Sequence, residues 1–174
     1  MNFFNLAKER YSCRNFDTTK PIEQEKIDKI LEVAKFAPTA VNFQPQRILI
    51  LQDQEKLSKL SECTNYGWGA PLVMLVGYDK NVSWKRKYDG KDEGIVDASI
   101  VATHMMFEIS ELGLGTTWVG YFNPEKLKEI YSIPDNIEII AILPIGYPSE
   151  DAIPAPHHEK RNDVSSFVYY NEFK

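Results

Sequence analysis

The sequence predicts a single domain in which helices cover both faces of a β-sheet. Residues 94–122 contain the longest stretch that is apolar on nearly every side, which is typical of a helix at the centre of a fold. Residues 71–78 and 137–145 are near-continuous apolar runs, as expected for strands that are buried on both faces. A chain of 174 residues is long enough to bury one such core.

The central helix, predicted over residues 96–112, has two apolar faces. Its broad face consists of Ala98, Val101, Ala102, Met105, Met106, Ile109 and Leu112, and its second face of Val96, Ile100 and Phe107. Two apolar faces need two packing partners, so the helix lies either in the middle of its own core or at an interface with another copy. Gly113 is placed to end this helix, and residues 114–121 are predicted to form a strand interrupted by Gly115 and Gly120.

The other elements follow from apolar periodicity and from proline boundaries. Helices are predicted over residues 3–10, 21–36 and 54–62 and between Asn123 and Pro134, and a further strand over residues 47–52. The last segment, residues 147–174, has little periodicity but carries Phe167, Val168, Tyr169, Tyr170 and Phe173. A disordered tail rarely carries so many large apolar groups, so this segment is predicted to be an arm that docks on another surface.

Charge and cysteine content exclude several classes of protein. The formal net charge is −5 and there is no basic stripe or tail, which argues against nucleic-acid and membrane-surface partners. No apolar run approaches the roughly 18 residues of a membrane-spanning helix. Cys13 and Cys63 are far apart and form no CxxC pair, so we expect a cytoplasmic protein without disulfides.

Residues 10–16, RYSCRNF, form the first candidate binding loop. In an extended chain the side chains of Arg10, Ser12 and Arg14 point the same way. Two forked guanidinium groups and a hydroxyl can hold a phosphate, although two solvated arginines on a surface loop fit the spacing as well.

Residues 37–46, APTAVNFQPQ, form a second candidate loop that is bounded by prolines. Thr39, Asn42 and Gln44 offer neutral hydrogen-bonding groups, which suit the edge of a heterocycle or a polyol chain. The same residues can also simply cap a turn.

Residues 79–93 are polar and charged, with Trp84, Arg86 and Tyr88 among them. Such a segment is either a mobile lid over a site or a solvated loop. These three side chains are the candidates for substrate contacts.

Familiar catalytic and metal-binding motifs are absent from the sequence. Residues 113–115 do not begin a dinucleotide-binding fingerprint, because Trp118 stands where the third glycine is required. His157 and His158 have no matching ligands nearby, so they are predicted to be surface histidines and no metal site is expected. One edge of the central helix carries Asp97, His104, Glu108 and Glu111. This stripe fits satisfied or solvated groups better than a proton relay.

Four segments, taken in order, resemble the nitroreductase family of flavoproteins. Residues 10–16 resemble the family's R-x-S-x-R-x-F motif, and residues 37–45 resemble its A-P-S-A-x-N-x-Q-P motif, with Thr39 in place of the usual serine. Residues 97–99, together with residues 111–116 and 118–120, are similar to its long helix and the glycine-containing strand that follows. Each motif is weak alone, but the ordered set spans nearly the whole chain.

The resemblance implies an α+β fold with a central, mostly antiparallel sheet flanked by helices. It also implies an intertwined homodimer that holds two FMN molecules at its interface. Residues 1–174 are then one nitroreductase-like domain, in which the arm, residues 147–174, wraps the partner subunit.

The same resemblance assigns cofactor-binding residues. The FMN phosphate is expected to be held by Arg10, Ser12, Arg161 and Lys160, in a loop that includes Tyr11. Arg14 is expected to approach the pyrimidine side of the ring. The partner subunit is expected to contribute Pro38, Thr39, Ala40 and Asn42, with Gln44 near the ring. The backbone of Trp118, Val119 and Gly120 is expected to face flavin N5, while Glu159 replaces a basic residue found in some members.

The implied activity is the reduction of nitroaromatics, quinones or similar electron-poor molecules by NAD(P)H, with hydride passing through flavin N5 in a ping-pong sequence. No catalytic side chain is needed, because the flavin carries the chemistry. The alternatives are a reductive dehalogenase on the same scaffold, a non-catalytic flavin-binding or regulatory module, and a plain dimeric scaffold.

Overall fold

The structure is a computed structural model that describes residues 2–173. Met1 and Lys174, the ends of the predicted domain, lie outside the described residues. The helices are α1 (Phe3–Glu9), α2 (Gln24–Phe36), α3 (Gln54–Lys59), α4 (Gly94–Glu111) and α5 (Pro124–Tyr131). The strands are β1 (Gln46–Leu51), β2 (Leu72–Asp79), β3 (Gly115–Thr116) and β4 (Ile137–Gly146). Short 3₁₀ turns lie at Ala40–Asn42, Leu60–Glu62 and Val164–Ser166.

The strands form one sheet in the order β1-β2-β4-β3, and every neighbouring pair is antiparallel. The expectation of a mostly antiparallel sheet flanked by helices is therefore confirmed. The central strand β2 is buried from Leu72 to Tyr78, as its unbroken apolar run predicts. Core clusters lie on both faces of the sheet, one with α2 and α4 and the other with α5.

The broad face of α4 packs inside its own chain. Val101, Met105 and Ile109 are each 0% exposed and belong to the cluster formed with α2, β2 and β4. The second face is only partly covered, since Val96 is 43% exposed while Phe107 packs edge-on against Phe3 with ring centroids 5.1 Å apart. The helix was expected to lie either in its own core or at an interface with another copy. Its broad face lies in the core of its own chain.

The strand predicted over residues 114–121 is wrong for most of its length. Only β3 joins the ladder, and beyond it the single isolated bridge joins Val119 to Ile142. Helix α2 begins at Gln24 and not at residue 21, because the main-chain N–H groups of Lys26 and Ile27 donate to the Glu23 carbonyl. The helix predicted over residues 54–62 is divided into α3 and the 3₁₀ turn after it.

The arm, residues 147–173 as described, leaves the body of the protein along the first candidate loop. The Asp17 N–H donates to the Tyr147 carbonyl at 2.8 Å, and the Ser149 N–H to the Asn15 carbonyl at 3.2 Å. From residue 159 to residue 173 every residue is exposed, with Phe173 at 90%. The end of the arm therefore does not dock on its own chain.

No helix within residues 2–173 has both the length and the apolar character that crossing a membrane requires.

Candidate functional site

The edge of the sheet beside β3 is open over a short stretch. The Val119 N–H and carbonyl both bond to Ile142, each at 3.0 Å. Main-chain groups of successive residues in an extended chain alternate in direction, so the N–H groups of Trp118 and Gly120 turn away from β4. Within residues 2–173 neither has a hydrogen-bond partner. This open edge therefore offers two main-chain donors to a ligand.

The first candidate loop pairs with the same edge of the sheet at Thr116, just before the open stretch. Ser12 forms a parallel bridge with Thr116, and the Cys13 N–H donates to the Thr116 carbonyl at 3.0 Å. Cys13 is 1% exposed, so Ser12 and Arg14 face outward as the alternation predicts. Arg14 Nη1 donates to the Ser12 carbonyl at 3.1 Å, which keeps its guanidinium over the loop.

Arg10 lies at the end of α1, where its N–H donates to the Leu6 carbonyl at 2.9 Å. Its Nη1 is buried and has no hydrogen-bond partner within residues 2–173. Burial lowers the pKa of Arg10, and the nearby charge of Arg161 lowers it further. A buried guanidinium nitrogen without a partner, with a second positive charge near it, suits an anion, so the residues present fit the phosphate of FMN.

The charge of Arg161 lies near Arg10 because the beginning of the arm is held in place. Arg161 Nη1 donates to the carbonyls of His158 and Lys160, the latter at 2.8 Å. The His158 ring packs edge-on against Tyr11 with centroids 6.2 Å apart. His158 is thus half-buried and fixes the arm against the first loop, whereas His157 and Lys160 are exposed.

The second candidate loop is anchored to the beginning of α4. The Ala40 N–H donates to Asp97 Oδ1 at 2.8 Å, and Asp97 is only 2% exposed. The Thr39 hydroxyl accepts from the Gln44 N–H at 3.1 Å. Pro38, Asn42 and Gln44 are exposed.

The backbone of this loop is unusual. Val41, Asn42 and Gln44 all have positive φ, at 54°, 55° and 51°. Left-handed conformations are costly for residues other than glycine, above all for β-branched ones, and they cluster at binding sites. The second loop therefore exposes its polar side chains in a strained conformation that the Asp97 contact helps to hold.

Asp97 is a functional candidate that the sequence analysis missed. The polar stripe that contains it was expected to carry hydrogen-bonded or solvated groups. Asp97 Oδ1 does accept a hydrogen bond, but from the second loop. Asp97 Oδ2 is buried without a partner in the described part of the chain. His104 makes a local contact, with Nδ1 2.9 Å from the Ile100 carbonyl. The sequence feature that could have identified it is an aspartate in the first turn of the most apolar helix.

The two candidate loops lie at opposite ends of α4. The second loop contacts Asp97 in its first turn, and the first loop contacts Thr116, just beyond its end. At 1.5 Å of rise per residue, these points are separated by about 20 Å. The structure therefore does not bring the two predicted flavin-binding loops together within one chain.

The segment over residues 79–93 is a closed hairpin-like loop. Lys85 and Asp92 form an isolated bridge that joins its two arms. Arg86 makes two hydrogen bonds to Asp89, at 2.9 and 2.6 Å, and these raise the pKa of Arg86. Tyr88 is 99% exposed, whereas Trp84 is half-buried. The guanidinium of Arg86 is therefore already paired within the loop.

The helix-flanked antiparallel sheet makes this an α+β protein, and the buried Nη1 of Arg10, which has no partner within the described residues, suits a phosphorylated ligand. The chain belongs to the nitroreductase family, whose model matches residues 7–66 and 63–147. The resemblance drawn from the sequence motifs is thus confirmed.

Three proteins are similar to this chain over most of its length. A solved nitroreductase family protein from Clostridium difficile is 45% identical with a TM-score of 0.92, and the match covers 99% of this chain and 100% of that one. FMN reductase (NAD(P)H) of Bacillus subtilis is 30% identical over 92% of this chain and 72% of its own length. A protein of Exiguobacterium sibiricum solved in complex with FMN shares the fold at 21% identity, with a TM-score of 0.83 over 98% of this chain and 97% of that one.

Proposed function

We propose that this chain is the protomer of a homodimeric, FMN-dependent oxidoreductase that uses NAD(P)H to reduce nitroaromatics, quinones or similar electron-poor molecules. The observation that carries the proposal is that Arg10 Nη1 is buried without a partner in the described residues and has the charge of Arg161 near it, while the N–H groups of Trp118 and Gly120 are open at the sheet edge. Family membership and the names of the relatives support an oxidoreductase.

The distance between the two loops supports a dimer. A ligand held by Arg10 and Arg161 is about 20 Å from the second loop of the same chain, so only another copy can add that loop to the site. The end of the arm is exposed from residue 159 to residue 173, as expected of a segment that docks on a partner.

The chain's own residues bind and orient the cofactor. Arg10, Ser12 and Arg161, with Lys160 nearby, would hold the phosphate, and Arg14 adds a further positive charge within the first loop. When bound, FMN supplies the redox chemistry, because its ring accepts hydride from NAD(P)H and returns two electrons to the acceptor. Because the Val119 N–H is committed to Ile142, the main-chain donor available to bound FMN would be that of Gly120 or Trp118.

The proposal requires no acidic or basic side chain at the reacting atoms. With a nitroarene the balanced reaction consumes NAD(P)H, one further proton and the nitro compound, and it yields NAD(P)⁺, the nitroso compound and water. The protons come from NAD(P)H and solvent, so the protein contributes position and electrostatics.

The test is a visible spectrum of the purified protein followed by anaerobic addition of NADH and NADPH. We expect a yellow protein that bleaches with at least one of the two and regains its colour with nitrobenzene or benzoquinone. Bound FMN that neither nucleotide bleaches would indicate a non-catalytic flavin-binding module. A colourless protein that refuses added FMN would indicate a plain scaffold, and recovery of colour only with a halogenated phenol would indicate a dehalogenase.

A further inference from the structure

Three aromatic side chains form a cluster directly beside the open edge. The Tyr66 ring lies 5.4 Å from Trp68 and 5.9 Å from Tyr121, centroid to centroid. Tyr121 follows Gly120 in the chain, so the cluster begins where the open edge ends. We call Tyr66, Trp68 and Tyr121 the aromatic wall.

The wall is exposed, although the backbone that carries it is fixed. Tyr121 is 79% and Tyr66 41% exposed. Two hydrogen bonds join the carrying loops: the Thr64 hydroxyl donates to the Tyr121 carbonyl at 2.7 Å, and the Asn123 N–H donates to the Cys63 carbonyl at 2.9 Å. Exposed rings on a fixed backbone can bind a ligand with little loss of conformational entropy.

Trp68 is held in a strained conformation. It has a φ of 46°, and with Gly69 at 65° it forms the centre of a turn closed by the Ala70 N–H and the Gly67 carbonyl at 3.0 Å. A bulky residue with positive φ persists only where its surroundings fix it, and such outliers concentrate at functional sites. The turn places the Trp68 ring against Tyr66.

The residue types around the aromatic wall indicate which kind of ligand it can bind. Residues 63–69 and 118–122 contain no Asp, Glu, Lys, Arg or His. A ligand gains no ion pair from these segments and is recognised through ring faces, whose negative potential complements an electron-poor ring. A flat acceptor that must lie against a flavin ring matches both the position and the charge of this surface.

We propose that the aromatic wall is the binding surface for the planar, electron-poor electron acceptor, and that it sets a preference for aromatic acceptors over saturated ones. The proposal rests on the proposed function for the position of the flavin. It assigns acceptor selection to Tyr66 and Tyr121 and not to the segment over residues 79–93, where Arg86 is already paired with Asp89.

The experiment compares two ligands that differ only in their ring, nitrobenzene and nitrocyclohexane. Binding to the oxidised full-length protein as purified is measured by ligand-observed NMR for the parent chain, Tyr66→Leu, Tyr121→Leu and the matched variants Tyr66→Phe and Tyr121→Phe. We expect each leucine variant to weaken nitrobenzene binding by about fivefold, because a ring contact is lost. The phenylalanine variants keep the ring and should stay within about twofold of the parent.

A second readout separates this proposal from the proposed function. After anaerobic reduction by NADH or NADPH, stopped-flow reoxidation should slow for nitrobenzene in the leucine variants and stay unchanged for ferricyanide, which has no flat ring. Equal nitrobenzene affinity in the parent and the leucine variants would contradict the proposal that the aromatic wall binds the acceptor. Loss of FMN from the leucine variants also overturns it, because the rings then serve the cofactor. If the parent is never reduced while nitrobenzene binding still depends on the rings, the proposed function fails, and the aromatic wall is a binding surface for flat, electron-poor ligands without a part in electron transfer.

Discussion

Arg10 is the residue on which cofactor affinity should depend most directly. Its buried Nη1 lacks a partner in the described residues, and Arg161 adds a second positive charge. We expect Arg10→Ala to weaken FMN binding by about 1–3 kcal/mol, the scale of a lost charge-assisted hydrogen bond. Fluorescence titration of the apoprotein measures the change.

Riboflavin and Lys8→Ala are the controls for this prediction. Riboflavin lacks the phosphate, so its affinity should change little in Arg10→Ala. Lys8 is an exposed cation on the same helix, and its removal lowers the net charge equally without touching the loop. An equal loss of FMN and riboflavin affinity in Arg10→Ala would show that Arg10 supports the fold and does not hold the phosphate.

Asp97 should be important for stability through one hydrogen bond. Replacement by alanine leaves the Ala40 N–H without its acceptor, and we expect the free energy of unfolding to fall by about 1–3 kcal/mol. Asp97→Asn keeps an oxygen at the same place and should recover part of the loss. Denaturant unfolding measures both variants, and faster hydrogen exchange at the Ala40 amide should accompany the alanine variant. Unchanged exchange there would exclude the anchoring role.

These two residues show what the sequence could reveal at this scale. Arg10 and Ser12 belong to a local motif, so their spacing within one loop was enough to suggest an anion site. The partner of Asp97 lies 57 positions away in the chain, and only the packing of α4 brings the two together. The position of Arg161 likewise depends on the contact between His158 and Tyr11.

At the scale of the element, the strained backbone of the second loop can be tested by a substitution that relieves the strain. Val41 is β-branched with a φ of 54°, and its side chain is 68% exposed. Glycine removes a left-handed penalty of about 1–2 kcal/mol but adds backbone entropy to the unfolded chain. We therefore expect Val41→Gly to stabilise the protein by about 0.5–1 kcal/mol in denaturant unfolding.

Val41→Ala is the matched control, because alanine shortens the side chain and retains the Cβ atom that causes the penalty. Only the glycine variant should gain stability. A net loss in both variants would mean that the Val41 side chain is buried in the assembled protein, which would extend the second loop's contacts with a partner.

Helices and strands could be predicted from periodicity because each of them is a local pattern with a clear apolar face. Residues 114–121 could not, because β-branched and aromatic residues favour an extended chain but do not say which stretches pair. The ladder ends after Thr116 and resumes only at Val119, and the unpaired main-chain groups between and beyond them form the candidate site.

For the whole molecule, the long helix explains why apolar periodicity alone left the assembly undecided, so that the homodimer was expected only from the family resemblance. Both faces of α4 are apolar, and periodicity does not distinguish a protomer core from an interface between copies. Met105 and Ile109 are 0% exposed within one chain, so an aspartate at either position is expected to unfold the protomer and would not report on a dimer. A test of assembly must therefore change a segment that the protomer does not need.

The end of the arm is such a segment. A chain that stops after Asn162 keeps Lys160 and Arg161 but loses residues 163–174, of which those described are exposed. We expect this truncated protein to retain its circular dichroism spectrum and thermal unfolding as a protomer, while its dimer dissociates at concentrations where the parent dimer persists. Light scattering across a dilution series measures the dissociation. FMN and riboflavin affinity should fall together, because a separated protomer lacks the partner's second loop.

A full-length chain with Phe167, Tyr170 and Phe173 changed to serine is the matched control. These rings are 62%, 84% and 90% exposed, so polar replacements cost the isolated protomer little. If apolar docking on the partner holds the arm, this variant should dissociate like the truncated chain. A stable dimer in both cases, with FMN affinity intact, would place the subunit contact elsewhere, and the exposed second face of α4 at Val96 would become the next surface to test.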